Sequence, residues 1–173
     1  MRKVALLVVA VATLAVGVES ASASAVLTNF TFSTTTDAKN GFASGSGDQT
    51  FGTLSGVFPH IGRATVDESL SRCSPAYCYP DGDNFVVLIF TTPNGDRLWL
   101  VGDGLGTTDT ASSFTGTGTW SVYNPLSTGR FASATGSGTY TATFTYNGQF
   151  EYPFSLGTLS VTLSGNLGFG SKS

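Results

Sequence analysis

The chain has 173 residues, of which 13 are Phe, 6 Tyr and 2 Trp while only 11% are charged, so it can build one domain around a single sizeable core. A net charge of −3 argues against nucleic acid and anionic membrane as partners, since both demand clustered Lys or Arg. Its 22 Gly could suggest disorder, but disordered chains lack the aromatic surface needed to offset ordering entropy.

Arg2 and Lys3 precede an apolar run over residues 4–18, and the small residues Ala21, Ala23 and Ala25 follow. A basic start, a short apolar core and small residues at a cleavage point describe a secretory signal peptide over residues 1–25. The run is short for a membrane span, so secretion to the extracellular space with no membrane partner after cleavage is the expectation. Arg2, Lys3 and Glu19 leave with this segment, moving the net charge from −3 to about −4. Residues 26–173 then read as one all-β domain.

The first expected strand covers residues 26–35, with Phe30 and Phe32 on one face. Asn40-Gly41, Asn94-Gly95 and Asn147-Gly148 each read as a two-residue type I′ hairpin turn, and three such signals predict an antiparallel sheet. Residues 41–47 and 51–55 echo residues 129–138 and 156–160, which is either a faint repeat of two halves or convergent Gly and Ser composition.

His60, the only histidine, follows Pro59. Its charge changes near neutral pH, which makes it a candidate general base, although no partner is legible nearby and a loop histidine is commonly just exposed. The strand at residues 63–70 sets Asp67 and Glu68 on opposite faces, so they form no carboxylate pair. Cys73 and Cys78, the only cysteines, are expected to form a local disulfide in a secreted chain. Asp81 and Asp83 match no calcium loop and read as a solvated turn, so no metal and no cofactor are expected.

Residues 84–92 are apolar on both faces from Phe85 to Phe90. One face can fill an interior, while the other needs a second layer or a partner subunit, which predicts a homo-oligomer, trimer or dimer. In the hairpin partner, residues 96–101, Leu98 and Leu100 share one face, with Arg97, Trp99 and Val101 on the other.

Two further ladders follow. Phe114, Gly116, Gly118, Trp120 and Val122 alternate with Thr and Ser, and Tyr140, Ala142, Phe144 and Tyr146 alternate with Thr, the period of two that marks half-buried strands. The Gly-rich connection at residues 128–138 reads as a barrel corner or tight strand pair, with small residues opposite Trp or Tyr filling a tapering interior. No helix follows to offer its N-terminus to a phosphate.

Those residues, TGRFASATGSG, resemble the GGTGxFxxAxG segment shared by allene oxide cyclase and dirigent proteins and by bacterial secreted proteins on a similar barrel. Leu126 and Ser127 stand where the leading glycine is usual. The resemblance implies an eight-stranded antiparallel barrel, often trimeric, with an apolar cavity where a reactive intermediate is cyclised or coupled. It carries over no catalytic residue.

Phe150, Tyr152 and Phe154 are expected on one face opposite Glu151, and Leu159, Val161, Leu163, Leu167 and Phe169 on one face of a last strand. The fold class is therefore an all-β, antiparallel eight-stranded barrel, with a β-sandwich as the alternative. The expected function is a barrel that binds a small apolar ligand and can guide its cyclisation or coupling, with a non-catalytic extracellular structural or interaction protein as the alternative. Arg97, Glu151, Tyr140 and His60 are the candidate catalytic groups for the first, with Trp120 and Phe144 as candidate ligand contacts.

Overall fold

The computed structural model describes residues 28–43, 47–72, 83–104 and 107–170. In chain order the strands are β1 (Thr28–Ala43), β2 (Gly47–Phe58), β3 (Gly62–Arg72), β4 (Asn84–Thr91), β5 (Arg97–Gly104), β6 (Thr107–Asp109), β7 (Ser113–Val122), β8 (Thr135–Glu151) and β9 (Phe154–Gly168). All pair antiparallel in the order β5-β4-β3-β2-β1-β9-β8-β7-β6, and β5 also pairs with β7. That last pairing joins eight strands into a closed, barrel-like ring, which removes the edges that an open sheet exposes. Among the described strands only β6 stands outside it, pairing with residues 114–116 of β7 while β5 takes residues 119–122.

Alternation decides which side chains enter the ring. Along β4 the even residues Val86, Leu88 and Phe90 are fully buried and the odd residues Phe85, Val87 and Ile89 are not. The same parity puts Phe114 and Trp120 of β7, and Tyr140, Ala142 and Phe144 of β8, inside. Small residues do face large ones, since Trp120 pairs with Gly138 and Gly118 with Tyr140. At the β5–β7 seam a Cβ on Gly118 would lie 2.0 Å from the Asp103 carbonyl oxygen, so the strands close only because that Cβ is missing.

Call the end where β1 starts the lower end. Two single 3₁₀ turns lie there: Asn124–Leu126, which buries no side chain, and Gly129–Phe131, which buries Phe131. Phe131 is buried against Phe169 with ring centroids 5.4 Å apart, and Arg130 Nη2 donates to the Ile61 carbonyl. Of the stretch expected to be a barrel corner or tight strand pair, residues 128–134 form a plug under the ring, and residues 135–138 begin β8, where Gly138 packs closely between Trp120 of β7 and Gly165 of β9. Hydrogen bonds of Thr128 and Ser127 to β5 hold the plug: Thr128 N donates to Arg97 O at 2.8 Å and Trp99 N to Ser127 Oγ at 3.1 Å.

The turn expectations need correction. Asn40 and Gly41 continue β1: Asn40 is buried and donates to Thr50 Oγ1 at 2.8 Å, and the Phe154 ring fills the space where a Gly41 Cβ would be. Asn147-Gly148 sits at a register shift within β8, with Gly148 at φ 81°. Asn94-Gly95 does lie in the β4–β5 turn, but Gly95 alone has positive φ there, so the turn is not type I′. Phe150, 66% exposed, does lie in β8, whereas Tyr152, expected on the same strand face, is 88% exposed in the β8–β9 turn and Phe154 begins β9. The expected signal segment, residues 1–25, and both cysteines of the expected disulfide fall outside the described residues.

Candidate functional site

Inside the ring the side chains interlock. Phe32, Phe58 and Phe90 make three mutual ring contacts at centroid distances of 5.3–5.7 Å, and Phe30 stands edge-on to Trp120 at 5.6 Å. Trp120 also donates Nε1 to the Ser164 carbonyl at 3.2 Å. Phe144 contacts both Phe114 and Tyr146. The two expected ligand contacts, Trp120 and Phe144, are therefore core residues packed against neighbours.

A few polar groups interrupt this core. Glu68 follows Val66 and precedes Leu70 on the inward face of β3, beside Gly52 of β2 and Leu88 of β4. It is 1% exposed; Thr36 Oγ1 donates to its Oε2 at 3.4 Å, and Oε1 has no partner among the described residues. Burial pushes its carboxyl up to about 8 against the opposing pull of the Thr36 and Thr34 hydroxyls, so it is mostly neutral at pH 7. Higher up, the Tyr140 hydroxyl donates to Asn84 Oδ1, and burial with the Asp103 charge raises its pKa above the ordinary tyrosine range.

The upper rim carries an ion cluster. Arg72 donates Nη1 to Asp109 Oδ2 at 2.6 Å and Nη2 to Asp48 Oδ2, with its guanidinium 4.7 Å from the Phe114 ring centroid. Burial opposes the charge on Arg72, but the two carboxylates outweigh it and hold the guanidinium protonated more firmly. No group of three or more His, Cys, Asp or Glu among the described residues could hold a metal ion.

The four expected catalytic groups do not meet. Tyr140 is interior, whereas Arg97 is exposed on the outer face of β5. Glu151 lies at the upper tip in an ion pair with Lys39 at 2.9 Å, and His60 is exposed in the β2–β3 turn with φ 63°. Sequence reading passed over Glu68, although its place in the run Ala64, Val66, Glu68, Leu70 puts a carboxylate on an apolar face.

The outer face of β4 and β5 is apolar. Phe85 is 43% exposed, Val87, Ile89, Trp99 and Val101 are half-buried, and a shallow groove of ≈ 230 Å³ beside them is lined by Phe51, Gly52, Thr53, Asp67, Glu68, Ser69, Val87 and Ile89. Compared with protein-family models, with curated proteins and with solved structures, the chain matches none.

Proposed function

We propose that this is a secreted, non-catalytic interaction protein, a β-ring with a rigid, side-chain-filled interior that meets a protein partner through the outer face of β4 and β5. The interior carries this reading. The Phe32–Phe58–Phe90 cluster and the Phe30–Trp120 pair supply aromatic rings to the interior, and an eight-stranded ring is narrow enough for its own side chains to fill, which supports this reading. The scattered positions of Arg97, Glu151, Tyr140 and His60 give no nucleophile, base and orienting group within reach of one another.

Glu68 favours a second reading, a barrel that binds a small apolar molecule and guides its cyclisation or coupling. A neutral carboxyl in an apolar interior, with Oε1 unpartnered among the described residues, is a group that could polarise a substrate. The resemblance of residues 128–138 to allene oxide cyclase and dirigent proteins supports the same reading.

Native mass spectrometry of the protein purified from the medium of a secreting host separates the two. The interaction reading expects the chain, free of its first 25 or so residues, to carry no small molecule. Release of a discrete organic compound on denaturation would sink it and would name the substrate class.

A further inference from the structure

The outer face of β4 and β5 has a charge arrangement that selects its own copy. Register places four rows across the two strands: Thr91 beside Arg97, Ile89 beside Trp99, Val87 beside Val101, and Phe85 beside Asp103. A basic group therefore ends the β5 side of the apolar patch at the bottom and an acidic group ends it at the top. Arg97 and Asp103 are both exposed, and among the described residues neither has an ion-pair partner within the chain.

We infer that this face pairs with the same face of a second copy about a two-fold axis lying across the strands, between the second and third rows. The inference rests on the interaction reading above and names its partner. That rotation lays the first row of one copy over the fourth row of the other. Arg97 then meets Asp103 of the second copy and Asp103 meets its Arg97, while Ile89 lies over Val87 and Trp99 over Val101. An isologous interface is self-complementary in this sense, since each contact occurs twice.

The alternative two-fold axis runs along the strands and is disfavoured by the same residues. It would set β4 over β5, so that Arg97 faced Thr91 and Asp103 faced the Phe85 ring, leaving both charges desolvated without a counter-charge. The apolar rows supply attraction in either orientation, and the charges choose between them.

Sedimentation velocity over a concentration series, on the secreted protein and its charge variants, tests the pairing. The parent is expected to dimerise. Arg97→Asp and Asp103→Arg each bring like charges together twice per dimer and should weaken it by about tenfold or more, and the double variant Arg97→Asp/Asp103→Arg should restore it to within about threefold. Both positions are exposed, and circular dichroism of each variant verifies the fold. A dimer indifferent to the single swaps, or weakened by them and not rescued by the double, overturns the two-fold arrangement; if Val87→Asp still dissociates that dimer, the face remains an interface with another geometry. A parent that stays monomeric overturns pairing with a second copy, whereas the filled-ring reading fails separately, on a released small molecule.

Discussion

Thr36 Oγ1 on β1 donates to Glu68 Oε2 on β3 at 3.4 Å over Gly52 of the intervening β2, while the neighbouring Asp67 faces solvent and accepts from Thr53 Oγ1 at 2.9 Å. Two adjacent acids thus meet opposite environments because a strand turns successive side chains to opposite faces. Glu68 is better accommodated as the neutral acid.

Stability should therefore fall with rising pH. The folded carboxyl titrates near 8 and the reference glutamate at 4.5, so between those values the folded state holds a proton that the unfolded state has released. The Glu68 contribution is intact below pH 4.5, declines through neutrality and is lost above about 8. Glu68→Gln removes the titration, and above pH 8 the variant should be more stable than the parent by up to about 5 kcal/mol. Urea unfolding from pH 5 to 9 measures this, and an unchanged slope in the variant would show that Glu68 is not the group responsible.

Ring closure should depend on Gly118. An alanine Cβ there would sit 2.0 Å from Asp103 O and 2.7 Å from Gly104 Cα, both backbone atoms that move only if the β5–β7 seam opens. Gly118→Ala is expected to cost about 3 kcal/mol and to speed amide exchange in β5 and β7 ahead of β1 and β9. Parent-like stability and exchange would mean that this seam does not close the sheet.

The plug at the lower end should contribute through packing more than through charge. Phe131 is 1% exposed, and Phe131→Ala is expected to cost about 3–5 kcal/mol. Arg130→Ala loses the bond to Ile61 O and the contact with the Phe131 ring, about 1 kcal/mol. Thermal unfolding of both variants orders them, and the reverse order would contradict the described packing.

Tyr140 should resist ionisation. Burial and the Asp103 charge raise Tyr140, so a spectrophotometric alkaline titration should show a late step above the ordinary tyrosine range. Tyr140→Phe should remove this late step and lose about 1–2 kcal/mol with the hydrogen bond to Asn84. A titration curve that merely loses an ordinary tyrosine would place Tyr140 in contact with water.

The antiparallel all-β class, the inward parity of β7 and β8 and the doubly apolar character of β4 were legible in the sequence, because a period of two is a local property written along each strand. Turns misled where glycine had two uses. Gly41 makes room for the Phe154 ring inside a sixteen-residue strand, and no pattern along the chain separates that use from a hairpin. Glu68 was visible as a carboxylate at an apolar position, but its isolation depends on which strands flank β3. Likewise the sequence determined that Arg97, Trp99 and Val101 share a face; only the pairing of β5 with β4 and β7 placed Arg97 and Asp103 at opposite ends of one apolar patch. Parity arises within a strand, whereas partner choice, closure and burial arise between segments far apart in sequence, so the tertiary structure alone decided them.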